Sequence, residues 1–304
     1  METKIEKKQS CNVDIAIMHH SPEWFIDSIK NKLNDNIYAS TDFLFLGHEH
    51  HSINQYNNAD NQNINISSGV ALYNDLMRDL GARKGEAEIN VGFGRNNHRN
   101  YNEYYGFVEY EWAVADRLGM EVEVPFSFNQ ASKGSDRKFS LPGNKVEGLK
   151  LATQYTFLVN EKRKLSMAVA YVHEFEFNTF KKLGHQGSVF TGMKMNPVFI
   201  AAKNFSNFNT LLYTGPVIEQ NYKEHKVETG ATINASLMYV IPNTKNFVGL
   251  ENNMDIDRDG FHYYLRPQVK VAIKHNLMIG LVAGIPITNE NSKGDLMTRI
   301  IWEP

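Results

Sequence analysis

From about residue 85 to its end the chain alternates apolar and polar residues with a period of two. That period belongs to β-strands, whose successive side chains point to opposite faces. Ile89, Val91 and Phe93 alternate with Glu88, Asn90 and Gly92. Val108, Tyr110, Trp112 and Val114 alternate with Glu109, Glu111 and Ala113, and Met120, Val122, Val124 and Phe126 with Glu121, Glu123 and Pro125. Leu265, Val269, Val271 and Ile273 face away from Arg266, Gln268, Lys270 and Lys274. About twelve such strands are expected: 85–95, 103–114, 117–128, 147–159, 164–177, 188–203, 207–218, 226–241, 245–253, 261–274, 276–287 and 294–303.

The connections add a second pattern. Those near Ala115–Asp116, Asn160–Arg163, Asn204–Ser206, Pro242–Thr244 and His275 are short. Those at Asn96–Asn102, Asn129–Val146, Asn178–Gly187, Glu219–His225, Met254–Gly260 and Thr288–Lys293 read as longer and more polar. Short–long alternation predicts an antiparallel up-and-down β-barrel with both termini at the short-turn end. The protein is thus expected to be mainly β, with residues 85–304 as the barrel.

Alternation alone leaves the faces open. In a soluble barrel the apolar face turns inward and binds an apolar ligand. In a membrane barrel it turns outward to lipid and the polar face lines the lumen. Twelve strands leave a lumen wider than apolar side chains fill easily. Tyr104, Trp112, Phe128, Phe177, Tyr263 and Trp302 lie near strand ends, where membrane barrels carry aromatic girdles. Both features favour the bilayer as partner. The lumen-lining residues are then Glu109, Glu111, Glu121, Glu123, Lys150, Glu174, Glu176, Arg266, Lys270, Lys274 and Arg299. The acidic ones come from early strands and most basic ones from late strands, so closing the barrel brings the two walls together. Salt bridges that satisfy buried charge are expected there, around a path for small polar solutes or a purely structural wall. No catalytic residue and no cofactor is expected of the barrel. Met254–Gly260 has the flavour of a calcium loop but lacks the terminal glutamate, and reads as turn chemistry.

Leu72-Tyr-Asn-Asp-Leu-Met-Arg-Asp-Leu-Gly-Ala-Arg-Lys-Gly-Glu86 resembles the signature of the HAEPLYID family. The resemblance continues through Asn90–Phe93, Val108–Trp112, Arg117–Phe126, Ala170–Phe177 and Tyr213–Pro216. It implies an outer-membrane-like barrel over about 72–304. Within it, Leu76, Met77 and Leu80 followed by Gly81 and Gly85 read as a short helix and stop, so residues 73–84 are expected to be a short helical junction.

Residues 1–72 read differently, as a small α/β segment. Val13–Met18, Asp42–Gly47 and Asn63–Ser67 are short apolar runs, Glu23–Leu33 has helical spacing, and Asn54–Gln62 reads as a loop. His20-Ser21-Pro22 and Gly47-His48-Glu49-His50 resemble the last two motifs of the calcineurin-like metallophosphoesterases. The resemblance, over about 12–73, implies His20, His48 and His50 as ligands of a divalent metal (Mn, Fe or Zn), with His19 a substitute. The motifs that supply the bridging aspartate are missing, so the segment is expected to be a truncated enzyme, inactive alone. Two-metal hydrolysis needs a carboxylate to hold the pair of cations.

The totals restrict the remaining classes. A formal net charge of −2 over 304 residues gives no electrostatic reason to expect nucleic acid. The single cysteine, Cys11, rules out an intramolecular disulfide. The first ten residues are charged and polar, with no apolar run of a secretory signal. The family resemblance points to the outer membrane all the same.

Overall fold

Period-two segments need hydrogen-bonded neighbours on both sides, and the chain supplies them by closing one sheet on itself. The computed structural model describes residues 15–18, 43–46, 55–56, 71–73, 80–133, 139–183, 188–288 and 292–304. The chain forms two compact units, Met1–Asn65 and Ile66–Pro304.

In the first unit, β1 (Ile15–Met18) pairs in parallel with β2 (Phe43–Leu46), and β2 pairs antiparallel with β3 (Gln55–Tyr56). The strand at Gln55–Tyr56 falls inside a stretch read from sequence as loop. Two ladder pairs suffice for it, and so short a strand leaves no periodic signal. The helix at 23–33, the strand at 63–67, residues 74–79 of the junction, and His19, His20, His48 and His50 lie outside the described residues.

The second unit contains β4 (Ala87–His98), β5 (Tyr101–Ala115), β6 (Leu118–Ala131), the two-residue β7 (Lys145–Val146), β8 (Gly148–Asn160), β9 (Leu165–Phe177), a single helical turn α1 (Phe180–Leu183), β10 (Phe190–Phe205), β11 (Phe208–Asn221), β12 (Lys226–Val240), β13 (Phe247–Asp257), β14 (Gly260–Lys274), β15 (Leu277–Pro286) and β16 (Ser292–Trp302). Apart from the short β7, which pairs with the end of β6, every strand pairs antiparallel with its neighbours in sequence. β16 then pairs with β4, from Trp302↔Ile89 to Ser292↔His98. The result is a closed twelve-stranded barrel with the start of β4 and the end of β16 at one rim. A 13-residue strand such as β8 is roughly 43 Å long. At a tilt of about 40° it rises about 33 Å, enough to cross an apolar band of about 25 Å.

The strands outrun the expected ones at the far rim, and the short–long alternation weakens there. The β4–β5 and β13–β14 connections shrink to Arg99–Asn100 and Arg258–Asp259. Asn96–His98 are polar, and Asp255 and Asp257 flank Ile256, yet both stretches continue the ladder, because backbone pairing outside a bilayer needs no apolar side chains. The long connections are those around β7 and α1. Hairpin turns at the first rim are tight enough to force Arg117, Lys164, Ser206 and Asn243 to positive φ. At Met254–Gly260 the Asp257 carboxylate accepts the backbone N–H groups of Asp259 and Gly260 at 2.8 and 3.2 Å, a side-chain-closed turn.

Inside the barrel, two glycines of β4 face aromatic rings of β5. Gly92 lies against Phe107 and Gly94 against Tyr105, each its register partner. A Cβ at either position would collide with the ring. Replacing Gly94 by valine is therefore expected to lower stability by roughly 1–3 kcal/mol, read as a lower urea midpoint of the refolded barrel. An unchanged midpoint would show that the Tyr105 ring has room to move.

Candidate functional site

The two faces of the barrel settle what alternation left open. Phe93, Val108, Tyr155, Val227, Ile273 and Leu296 are all more than half exposed on the outer wall. Glu109, Glu111, Glu121, Glu251, Arg266 and Arg299 are buried, the last only 2 % exposed. A water-soluble barrel would have the reverse arrangement. Many exposed aromatics lie toward the rims, Tyr104, Phe128, Phe190 and Phe261 at one and Phe157, Phe205, Phe208, Tyr239 and Trp302 at the other, while Phe93, Tyr171 and Phe199 lie near mid-strand.

The buried charges form two groups. In the first, β5 and β6 place four carboxylates side by side, with Glu109 opposite Glu123 and Glu111 opposite Glu121. Like charges directly across a ladder repel, so cations must flank them. Closure of β16 on β4 brings Arg299 to one side: its Nη2 donates to Glu109 Oε1 at 2.6 Å and to Glu111 Oε1 at 3.4 Å. Asn90 Nδ2 donates to the same two oxygens at 2.8 and 2.9 Å. From β8, Lys150 Nζ reaches Glu121 and Glu123, each at 3.0 Å. Oxygens of Glu109, Glu111 and Glu121 lie within 4.8 Å of one another, the spacing of a cation site. The Arg299, Asn90 and Lys150 donors already occupy this wall, and a hard divalent ion takes six or more oxygens. A salt-bridge wall describes the group better than a metal centre.

The second group lies on β13, β14 and β16. Arg266 Nη1 contacts both oxygens of Asp295, at 2.6 and 2.7 Å. Glu251 accepts hydrogen bonds from Asn253 Nδ2 at 2.8 Å and Gln268 Nε2 at 3.1 Å. Asp295, Gln268, Glu251 and Asn90 were not singled out in the sequence. Asp295 follows a glycine at the start of β16, and Gln268 and Asn90 are ordinary polar members of an alternating strand.

The other sequence-selected residues are more loosely held. Glu174 and Glu176 lie half-buried on β9, opposite Lys150 and Gly148 of β8. Lys270 Nζ sits over the Phe247 ring, 5.0 Å from its centroid. Lys274 is exposed at the end of β14, beyond a ladder irregularity at Ala272/Lys274.

Between the two charged groups runs a piece of the chain itself. Ala71 and Leu72 are fully buried inside the barrel. The Leu72 N–H donates to Gln268 Oε1 at 2.7 Å, and its carbonyl faces Arg299 Nη1 at 3.5 Å. The Leu72 side chain lies against Gly280, where an added Cβ would be 2.6 Å away. The Tyr73 ring covers the Arg266 guanidinium at 3.4 Å. Leu72 and Leu80 join an apolar cluster of Ile200, Leu211, Met238, Phe247, Met278, Val282 and Ile301. The polar inner face expected from sequence therefore has an apolar interruption, and Ala71–Tyr73 form an internal strap. Residues 82–86 then tie the chain to the rim, through Arg117 N–H to Ala82 O at 2.8 Å and Gly85 N–H to Ala113 O at 3.0 Å.

A closed twelve-stranded wall, apolar outside and charged within, defines an outer-membrane-type β-barrel. A family model described as HAEPLYID-like matches residues 65–303, and the chain belongs to that family. Among solved structures it is similar to an outer membrane channel from Pseudomonas putida F1, with 12 % identity, a TM-score of 0.58, and coverage of 74 % of this chain and 98 % of that one. It is also similar to the KdgM porin (11 % identity, TM-score 0.49, 71 % and 98 % covered) and the NanC porin (8 %, 0.48, 71 % and 99 %). At such identities the likeness is one of fold. No curated protein matches the chain by sequence. The phosphoesterase-like reading of residues 12–73 finds no support in these comparisons, since the family match begins at residue 65.

Proposed function

We propose that the protein is an outer membrane barrel that admits small polar solutes, and that its strap keeps the described form closed. The observation that carries this reading is the inverted distribution of residues, with an apolar wall outside and ionised side chains within. Replacing buried ion pairs by apolar residues is often neutral or stabilising. Retained interior charge is what a water-filled path uses to select solutes.

The purified chain is expected to require detergent, to run as a compact band on a gel until boiled, and to insert into liposomes. In planar bilayers it is expected to show rare, brief openings. Recovery as a soluble monomer without detergent would overturn the membrane reading. Stable insertion with no opening under any applied voltage would leave the structural role and remove the channel.

A further inference from the structure

A cavity of about 260 Å³ opens above the strap, lined by Tyr73, Asn96, Glu103, Tyr105, Asn253, Asp255, Tyr264, Arg266 and Asp295. We infer that this cavity is a binding site for a small organic cation of the alkylammonium class, an inference that rests on reading the interior as a solute path. Its volume falls just under the range of drug-sized sites, which points to a small solute.

The charge balance comes first. Glu103, Asp255 and Asp295 contribute three carboxylates against the single cation Arg266. Arg266 is already committed, since Asp295 neutralises it through two short contacts and the Tyr73 and Tyr264 rings cover it at 3.4 and 4.9 Å. An anionic ligand would find no open cation here. Glu103 meets His98 at 3.3 Å, and counting that imidazole as charged still leaves one negative charge in excess. Asp255 is exposed, and its carboxylate has no hydrogen-bond or ion-pair partner among the described residues.

The second observation is the state of the lining's polar atoms. Asn253 is 4 % exposed and spends its Nδ2 on Asn234 and Glu251, while its Oδ1 accepts nothing among the described residues. The Tyr105 hydroxyl is likewise without a partner there. Spare acceptors and carboxylates call for a ligand rich in donors or positive charge. Tyr73 and Tyr264 each already give one ring face to Arg266 and Tyr105 gives none, and the remaining aromatic surface attracts a cation, more so once it is desolvated. A neutral sugar could donate to these oxygens but would leave the excess negative charge of the lining unbalanced.

The test uses the full chain in detergent, with choline as the probe and glucose and acetate as comparisons, followed by titration calorimetry. Choline is expected to bind saturably and the others not. The double substitution Glu103→Gln with Asp255→Asn is expected to weaken choline at least tenfold, and Tyr264→Leu to weaken it as well. Glu161→Gln, exposed in the turn between β8 and β9 and away from the cavity lining, is expected to leave it unchanged. Both carboxylates of the double variant are at least partly exposed, so that variant stays decisive should Tyr264→Leu fail to give the compact gel band. No saturable choline binding, preferential binding of glucose or acetate, or affinity indifferent to the double variant would each overturn the site. Because binding is read without conduction, a barrel that conducts but ignores choline refutes this inference alone. One that binds choline and never opens refutes only the channel.

Discussion

Substituting Arg299 by methionine is expected to destabilise the barrel by about 3–5 kcal/mol, the usual result of stripping one partner from a buried ion pair. Arg299 is 2 % exposed and donates to Glu109 and Glu111, whose carboxylates stand opposite those of Glu123 and Glu121. Without it, Lys150 alone faces four carboxylates. Methionine keeps the length and the packing against Phe107, whose ring centroid lies 5.4 Å from the guanidinium carbon, so the loss reports charge rather than volume. The measurement is the urea midpoint of the folded band in detergent, at constant salt. Adding Glu109→Gln and Glu111→Gln to Arg299→Met is expected to restore most of the loss, since the unpaired charges go with their partner. A midpoint that does not move in the single variant would mean that solvent in the lumen already screens the pair. A triple variant no better than the single one would place the effect in packing.

The second large effect concerns the strap. Leu72→Cys together with Gly280→Cys, in a Cys11→Ser background, is expected to give a barrel locked shut when oxidised and frequently open when reduced. A Cβ built at Gly280 lies 3.2 Å from Leu72 Cγ, the place a cysteine Sγ would take, so a bridge requires little backbone movement. Reduction leaves two small side chains where leucine had filled the space. It also removes roughly 1.5–3 kcal/mol of buried leucine that holds the strap down. The remaining ties are the Leu72 N–H to Gln268, the contact to Arg299 and the Tyr73 ring on Arg266. Single-channel recording before and after reductant reads the outcome. Equal conductance in both states would show that the strap does not block the path.

Most of the wall was legible because a strand pair records its two faces residue by residue. Val108-Glu-Tyr-Glu-Trp112 states which side chains share a face, and Met120–Phe126 repeats the statement on the next strand. Which face was outward was not legible there, since lipid and a dry core select the same residues. Strand ends were misjudged where polar residues such as Asn96–His98 kept their ladder outside the apolar band. The strap was missed for a different reason. Leu72 and Tyr73 are two residues with no period, and their partners Gln268, Gly280 and Arg299 lie about two hundred positions away. A long-range contact of that kind leaves no local trace. The family signature marked the segment, but only the fold shows it inside the barrel. Of the interior charges, Arg299 and the four glutamates stood out because strand alternation isolates them. Asp295 did not, because its strand begins with a bulge.

The pairing of the last strand with the first also has a meaning for assembly. Glu109, Glu111, Glu121 and Glu123 are made early in the chain, and Lys150 follows soon after, but their second cation is separated from Glu109 by 190 positions. Until β16 is seated, the growing sheet carries an acidic seam beside an open edge, with both the charge and the backbone of that edge unsatisfied. A chain lacking its final eleven-residue strand therefore loses more than one plank of the wall. It keeps a standing electrostatic signal that it is unfinished, and insertion of the C-terminal strand cancels that signal and closes the edge in the same event.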